Sequence, residues 1–490
     1  MIFYWIKYKT RAYNVVLVVI IKKKTFLSRI KSRLLKKINK VIFLLVKILY
    51  TIKWKVKGKR MARKSKLLEN LGEEMKKISV NNPEQIGLPV LKEFAIIIKE
   101  LTDYRGTISY QPLENIIMIV FIALLANCNE WNEIYQFGVI HKEWFSKFLN
   151  LEYGIPSVST LRKTMAVIDP EELEELCVKF IIKKVEDLQA LLISKEENEV
   201  KEKEIISYDG KTCNGSSRNN TINGKVKPVN AMSAFNVDKD ICLKTKFIDE
   251  KTNEIPTGPE LIKYLDLTNT ISVFDALNTQ EKTIKSIVDK HGNYVAAVKG
   301  NQRLLYEDIK NYFNDEELYK KAMNESFCEE TEKAHNQVEK RTYIITSDID
   351  WLNNKDRWAN IKSIGIAIRE YTSDENNVKD VRYYITDLLS SEIKEFKKAV
   401  RDEWGIENNL HWHLDYTFKE DNNLTMNKNA QANLNILRKL CLNILKLIKP
   451  LYNKSLKLIR FIIGQNFDNE ILKILSYINI DELKKIANFQ

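Results

Sequence analysis

Two different periods of apolar positions divide the chain near residue 200. Between residues 90 and 185 the apolar residues recur at helical spacing, and residues 113–126 are apolar nearly all round, which predicts a buried helix. Pro170, followed by two glutamates, is typical of the first turn of another helix. The pattern therefore predicts a helical N-terminal domain, which we place at residues 61–195.

After residue 204 the apolar runs become short, as in strands. Predicted strands alternate with short helices, with strands at residues 205–208, 230–237, 241–248, 270–274 and 294–298, and helices at residues 259–265 and 279–290. The order β-β-β-α-β-α-β is that of the ribonuclease H-like fold, which needs one more helix. We therefore expect an α/β fold in which helices flank a mixed sheet.

The missing helix does not follow at once. A polar helical stretch at residues 304–323 and three strand-like runs, at residues 343–346, 364–368 and 383–385, come first. Only then does a long helical period begin, at residues 394–418. We therefore predict a ribonuclease H-like domain made of residues 204–301 and 394–447, an insertion at residues 302–393 and a C-terminal helical tail at residues 448–490.

Charge is distributed unevenly along the chain. The 490 residues carry 78 Lys and Arg against 65 Asp and Glu, a net charge of +13, yet residues 1–60 hold 18 of the basic residues and no acidic residue. Without them the remaining chain is slightly acidic. A basic element on a membrane surface and an arm on DNA phosphates are two functional interpretations of residues 1–60. We favour a third, an upstream translation artefact or a disposable extension, because Met61 resembles an ordinary start.

Composition excludes several classes of protein. The six cysteines include no C-x-x-C pair, which argues against a disulfide scaffold and a zinc ribbon and favours a reduced, cytosolic compartment. No apolar run reaches the ~18–20 residues that a membrane span needs. Residues 422–467 contain eight basic residues and no acidic residue. This basic stretch is either a phosphate-binding surface or an amphipathic helix whose lysines face water.

Three carboxylates stand at positions with a chemical meaning. Asp209 and Asp275 each follow a predicted strand, and in the expected strand order these two strands are neighbours at the centre of the sheet. Glu407 lies in the late helix. Three converging carboxylates bind two Mg²⁺ ions that activate an attacking oxygen and stabilise a leaving one. The alternative is that these aspartates only form turns or caps.

Several short blocks resemble one family of proteins. They begin with Asp209-Gly210-Lys211 and run, in order, through residues 275–280, 298–302, 404–412, 414–415 and 418–421, while residues 103–105, 131–133 and 156–160 resemble a domain associated with that family. By these blocks the chain resembles the H-repeat, or ISAs-type, insertion-sequence transposases of the DDE class, over residues 91–447. Glu403 departs from the family, which usually has a histidine there.

The resemblance implies a function for these residues. It makes Asp209, Asp275 and Glu407 the catalytic triad for two Mg²⁺ ions, with Mn²⁺ as a substitute, in metal-dependent DNA cleavage and strand transfer. Candidate DNA contacts are Lys211, Lys299, Arg401, Asn408 and His411, although a surface lysine is more often merely solvated and His411 is alternatively a core residue. The implied partners are DNA ends, target DNA and further copies of the chain, in a bacterial cytoplasm, without a membrane or a small-molecule cofactor. A ribonuclease H-like nuclease without transposition and a defective DNA-binding protein are the alternatives.

Overall fold

The computed structural model describes residues 2–10, 13–21, 82–106, 109–193, 202–221, 224–248, 254–334, 337–373, 376–479 and 481–482. At the N-terminus these are two antiparallel strands, β1 (Ile2–Thr10) and β2 (Tyr13–Ile21). The rest of the predicted basic extension lies outside the described residues, so its interpretation stays a prediction.

Helices follow as the apolar period predicts. They are α1 (Pro83–Ile98), α2 (Leu113–Leu125), α3 (Trp131–Ile140), α4 (Lys142–Phe145), α5 (Val158–Val167) and α6 (Pro170–Ile193). Helix α2 is buried on every side except at Glu114, because all its other residues belong to the core. No helix in the described part of the chain is long and apolar enough to cross a membrane.

The second half of the chain builds an α/β structure. Its first elements are β3 (Glu204–Cys213), β4 (Arg218–Thr221), β5 (Gly224–Val226), β6 (Val229–Asn236), β7 (Ile241–Ile248), α7 (Glu254–Ile262), β8 (Thr270–Phe274), α8 (Glu281–Val288) and β9 (Asn293–Val298). The insertion consists of α9 (Arg303–Asn314), α10 (Glu316–Glu325), β10 (Phe327–Ala334), β11 (Gln337–Thr346), β12 (Ser363–Ser373) and β13 (Asn376–Thr386). The last elements are α11 (Ile393–Asp402), a π-helical turn (Glu407–His411), α12 (Trp412–Tyr416), α13 (Lys428–Tyr452), α14 (Leu456–Gln465) and α15 (Phe467–Ser476).

The main sheet has nine strands in the order β10-β11-β12-β13-β9-β8-β3-β6-β7. Strands β3, β6 and β7 form an antiparallel meander, while β8 and β9 run parallel to β3. The segment β7-β6-β3-β8-β9 has the strand order that the ribonuclease H-like prediction requires. The mixed α/β sheet preceded by a helical part is therefore confirmed.

The insertion extends this sheet, because β13 pairs antiparallel with β9. The sequence predicted three strand-like runs here, and four strands are present. The chain divides into two compact units: the larger contains Ala62–Phe327, Ile344–Gly365 and Tyr383–Gln490, and the smaller contains Met1–Met61, Cys328–Tyr343 and Ile366–Arg382. All the candidate site residues belong to the larger unit.

Within the smaller unit, Glu339 is the charged residue at the centre of an ion-pair network. Its side chain is buried and binds Arg341 at 2.7 Å and Arg369. Arg369 also lies over the ring of Tyr371, 4.3 Å from its centroid. These contacts satisfy the buried carboxylate, which would otherwise be costly.

Several predicted boundaries were wrong. Strand β3 does not end at Asp209 but continues to Cys213, because the backbone beyond Asp209 keeps pairing with β6. Helix α7 begins five residues before the predicted start. The polar helical stretch is two helices, separated at Asp315, whose side chain caps α10. The long helix predicted at residues 394–418 is interrupted by a turn at Glu403 and Trp404 and continues as the π-helical turn.

Helices from both ends of the larger unit pack together. Helix α13 contacts α2, α5 and α6 as well as β7, and α15 contacts α1. Both interpretations of the basic stretch at residues 422–467 need correction, because four of its basic residues neither face water nor form a surface. Arg438, Lys439, Lys446 and Arg460 are buried. Lys446 binds Asp240 at 2.6 Å, and Lys439 donates hydrogen bonds to hydroxyl groups of the sheet.

Candidate metal centre

Two of the predicted carboxylates lie side by side at the centre of the sheet. Strand β3 pairs in parallel with β8, and Tyr208 is the register partner of Phe274. Asp209 is the next residue of β3, and Asp275 is the first residue after β8, so we expect their backbones to be separated by about one interstrand spacing of ~4.8 Å. The Asp209 side chain is about one-third exposed. The sheet topology thus places both aspartates at one point on the sheet.

The loop after β8 holds Asp275 in place. Its Oδ1 accepts hydrogen bonds from the backbone N–H and the side-chain Nδ2 of Asn278, both at 3.1 Å. Thr279 Oγ1 lies within hydrogen-bond distance of the carbonyl oxygens of Asp275 and Ala297. Asn301, in the loop after β9, donates to the carbonyl oxygen of Ala276 at 2.5 Å. Residues of the block at 298–302 therefore fix the loop that carries the carboxylate.

Glu407 comes from the π-helical turn that follows α11. This segment packs closely against the end of β6 at Gly405, because a Cβ atom added there would lie 2.8 Å from Val237 Cγ2. Ser207 Oγ, on β3, donates to the carbonyl oxygen of Glu403 at 2.7 Å. π-Helical turns often occur at functional sites. Here the turn brings Glu407 and His411, four residues apart, to the same side.

His411 joins Asp209 to Glu407. Its Nδ1 lies 3.3 Å from Asp209 Oδ2 and 3.2 Å from Glu407 Oε2, and one ligand atom from each of the three residues lies within 4.8 Å of the others. Burial lowers the pKa of the imidazole, but the hydrogen bonds to the two carboxylates outweigh it and raise the pKa above its usual value. The hydrogen bond to His411 lowers the pKa of Glu407.

The cluster of Asp209, Glu407 and His411 does not include every residue of the predicted triad. Asp275 is adjacent along the sheet, but its carboxylate is bound to Asn278 and lies outside the cluster. His411 itself is only 3% exposed, and its Nε2 has no hydrogen-bond partner in the described part of the chain. A side chain this buried is a core residue with one edge in the site.

Lys211 is also buried beside the site. Its Nζ lies 2.7 and 2.8 Å from the two carboxylate oxygens of Asp415, in α12, and its side chain is 10% exposed. Burial lowers the pKa of this lysine, but the carboxylates of Glu420 and Asp415 outweigh that effect and raise it, so the lysine is charged. The pair ties β3 to the helix that follows Glu407.

The other candidate DNA contacts lie nearer the surface. Lys299 is exposed at the end of β9, and Arg401 and Asn408 are partly exposed. Asn408 Nδ2 donates to the carbonyl oxygen of Trp404 at 3.0 Å. Glu403, which departs from the expected histidine, accepts a hydrogen bond at 3.4 Å from the hydroxyl of Tyr384.

Sequence reasoning missed two residues of this region, Asn278 and Glu254. Glu254 is the first residue of α7 and is half-buried. Burial raises the pKa of its carboxyl group, and the negative charges of Asp209 and Asp275 raise it further. Asn278 stands inside the block at residues 275–280 and could have been singled out there. Nothing in the spacing of Glu254 distinguishes it from the other 64 acidic residues.

The donor atoms of the site suit a hard divalent cation. Asp209 and Glu407 offer carboxylate oxygens that are partly open to solvent, with side chains 35% and 51% exposed. Mg²⁺ prefers oxygen ligands and keeps positions for water and phosphate, and a nearby imidazole nitrogen also suits Mn²⁺. The arrangement can therefore hold a divalent metal at a face that substrate can reach.

Comparisons with known proteins identify the family to which the sequence is similar. A family model described as "DDE_Tnp_1-associated" matches residues 96–181, and one described as "Transposase DDE domain" matches residues 201–444, which together span about two thirds of the chain. The chain is 28% identical over 360 residues to "Putative transposase YncI" of Escherichia coli O157:H7, covering 73% of this chain and 87% of that protein.

Two further proteins are similar. "H repeat-associated putative transposase YhhI" of Escherichia coli strain K12 is 28% identical over 362 residues, covering 72% of this chain and 90% of that protein. A solved piggyBac transposase synaptic complex with hairpin DNA aligns with 81% of this chain and 82% of its own at 11% identity, with a TM-score of 0.36. On the sequence matches, the chain belongs to the DDE transposase family, with the H-repeat-associated proteins among its relatives.

Proposed function

We propose that this transposase cleaves DNA strands and joins them to target DNA at a site where Asp209, Asp275 and Glu407 bind two divalent metal ions. The observation that carries the proposal is the convergence of Asp209 and Glu407, which are 198 residues apart, on one buried imidazole. Asp275 is adjacent to Asp209 on the neighbouring strand. Two-metal sites act on phosphodiester bonds by in-line displacement.

Each residue of the proposed site has a specific role. The Asp209, Asp275 and Glu407 carboxylates are the ligands. Asn278 keeps the Asp275 carboxylate fixed through its two hydrogen bonds. His411 orients Asp209 and Glu407 relative to each other.

Lys299, Arg401 and Asn408 remain predicted DNA contacts. Phosphate binding by Lys299 suits the exposure of this residue, because a charged group at the surface reaches the backbone of DNA without breaking a buried contact. Burial of Lys211 and His411 favours a different role for these two, in which they position Asp415 and Glu407. Assembly of several copies on DNA also stays a prediction.

The reaction follows from the kind of nucleophile. Bound metal ions would activate an oxygen nucleophile and stabilise the departing oxygen. Water would be the nucleophile in cleavage, and the resulting 3′-hydroxyl would attack target DNA in strand transfer. Neither step needs a covalent bond between protein and DNA, so no serine or cysteine nucleophile is invoked.

Substitution of the triad tests the proposal. We expect Asp209→Asn, Asp275→Asn and Glu407→Gln each to abolish cleavage of supercoiled donor DNA in Mg²⁺, while binding to the element ends is kept. A triad variant that still cuts donor DNA at the wild-type rate would refute the mechanism. Incubating precut element ends with target plasmid separates the alternatives, because a nuclease without transposition gives no joined product. A defective DNA-binding protein would bind the ends but bind no Mn²⁺ in calorimetry.

A further inference from the structure

Strand β3 and the helical segment that contains Glu407 lie side by side with matching spacing. His411 Nδ1 is 3.3 Å from Asp209 Oδ2, and Lys211 Nζ is 2.7 Å from Asp415 Oδ1. Asp209 and Lys211 are two residues apart, so they lie on one face of β3, ~6.6 Å apart along the strand. His411 and Asp415 are four residues apart, which is about one helical turn, with a rise of ~6 Å. Because the two spacings agree, each residue of the strand meets its own residue of the helix.

A second set of contacts continues this alignment beyond α12. The Asp421 carboxylate accepts hydrogen bonds from the backbone N–H and the side-chain Nδ2 of Asn214, at 3.0 and 3.1 Å. At Gly215 the chains approach so closely that an added Cβ would overlap the carbonyl oxygens of Asp421 and Asn423. Segment 415–423 therefore follows the end of β3.

Segment 415–423 is also anchored to the C-terminal helices. Glu420 is fully buried, and its Oε1 accepts a hydrogen bond from Asn435 Nδ2, in α13, at 2.8 Å. The carbonyl oxygen of Thr417 accepts a hydrogen bond from the Arg460 guanidinium, in α14. Because these contacts hold the segment in place, a bond from the segment to β3 holds the strand in place as well.

The Lys211 ammonium group is bound to both oxygens of Asp415. Its Nζ lies 2.8 Å from Oδ2 as well as 2.7 Å from Oδ1, and the lysine side chain is only 10% exposed. Binding of Lys211 to phosphate would require this pair to break, which leaves a largely buried charge uncompensated. Charge-assisted hydrogen bonds are short and strong, so the pair fixes the register of β3 against the helix.

We propose that Lys211 and Asp415 are positioning residues for the metal centre. Their ion pair holds β3 and the helix in the register that keeps one ligand atom of Asp209 and one of Glu407 within 4.8 Å of each other. Without the pair, the helix can shift along the strand and carry Glu407 away from Asp209. The inference rests on the proposed metal-dependent function and gives Lys211 a role other than phosphate contact.

Mn²⁺ binding by the full chain without DNA tests this role. Lys211→Met, Asp415→Asn and the double variant are compared with wild type, with free Mn²⁺ measured by electron paramagnetic resonance. We expect each single variant to bind Mn²⁺ at least tenfold more weakly, and the double variant to bind no more weakly than the weaker single variant, because both changes break one interaction. A purely electrostatic effect would instead have opposite signs. Loss of the lysine charge would then strengthen Mn²⁺ binding, which would overturn the inference.

A matched control separates positioning from a general loss of stability. Lys244 is also buried and pairs with the buried Glu174, so it joins β7 to α6 as Lys211 joins β3 to α12. We expect Lys244→Met to lower the urea midpoint by an amount comparable to Lys211→Met but to bind Mn²⁺ like wild type. Asp415→Asn keeps the shape of the side chain, so it tests the role even if Lys211→Met does not fold.

DNA binding by the same variants distinguishes the alternative role of Lys211. A phosphate contact would make Lys211→Met bind DNA more weakly and reduce the salt slope by about 1, whereas Asp415→Asn would free the lysine and bind DNA at least as well as wild type. That pattern would overturn the inference. Wild-type Mn²⁺ binding by both single variants would also overturn it and leave the two-metal function standing. Absence of Mn²⁺ binding by wild type would overturn the two-metal function itself.

Discussion

Removing the Arg438 guanidinium should destabilise the protein without a specific effect on DNA. Arg438 Nη1 lies 3.4 Å from Glu420 Oε1, and both side chains are fully buried. At that distance and an effective dielectric constant of about 20, the attraction is about 5 kcal/mol. Removing one partner of a buried pair typically costs about 3–5 kcal/mol. We expect Arg438→Met to lower the free energy of unfolding by about that amount.

The buried pair of Arg438 and Glu420 is incompletely hydrogen-bonded, which allows a second test. Nε and Nη2 of Arg438 and Oε2 of Glu420 have no hydrogen-bond partner in the described part of the chain, although Asn435 donates to Glu420 Oε1 at 2.8 Å. Incompletely satisfied buried pairs are often replaced by apolar residues at no cost. The double variant Glu420→Leu with Arg438→Met should therefore recover most of the stability that Arg438→Met loses.

Urea unfolding followed by tryptophan fluorescence measures both effects. Lys454→Met is the matched control, because Lys454 belongs to the same basic stretch but is exposed, and exposed substitutions usually change stability by less than ~0.5 kcal/mol. DNA affinity is measured for the same variants at several salt concentrations. Suppose Arg438→Met unfolds like wild type but binds DNA more weakly, with a shallower salt dependence. Arg438 would then contact phosphate and the reasoning would fail.

Two further predictions concern packing and pH. Gly405→Ala should reduce DNA cleavage, because the added Cβ would overlap Val237 and shift the segment that carries Glu407. The overlap should lower the free energy of unfolding by ~1–3 kcal/mol, and the higher helix propensity of alanine offsets about 1 kcal/mol of this loss. Adding Val237→Ala should restore cleavage, and failure to restore it would contradict the steric explanation. His141→Phe should make stability less sensitive to acid. Burial lowers the pKa of His141 in the folded chain, so wild type loses stability as the pH falls below the unfolded value near 6.5, and urea midpoints at pH 5 and 7 measure the difference.

The order of elements was predictable because local sequence decides it. The short apolar runs predicted β3, β6, β7, β8 and β9 within a few residues, and the predicted strand order placed the strand before Asp209 beside the strand before Asp275. Element ends were less predictable, since they depend on tertiary pairing. Asp209 lies inside its strand because β6 continues beside it, a contact between residues that the local pattern does not reveal.

The environment of each side chain could not be predicted for the same reason. Lys211 was expected to contact DNA, and His411 either to contact DNA or to belong to the core; each is buried against a carboxylate from a distant part of the chain. Glu254 is placed by α7, whose start the pattern put five residues too late. The sequence shows that such side chains are ionisable, whereas the packing of helices on the sheet determines which groups each side chain contacts and how deeply it is buried.

Burial of basic groups in the C-terminal helices limits which residues can take part in the proposed DNA binding. Residues 61–421 carry a net charge of −12, and residues 422–467 carry eight positive charges that looked available for phosphate. Half of those eight are buried: Lys446 neutralises Asp240, Arg438 pairs with Glu420, and Arg460 donates to the carbonyl oxygen of Leu124. Buried cations cannot release counterions from DNA, so they contribute nothing to salt-dependent affinity. The electrostatic part of the proposed DNA binding must therefore come from exposed residues, of which Lys299, at the end of β9, is the first to test.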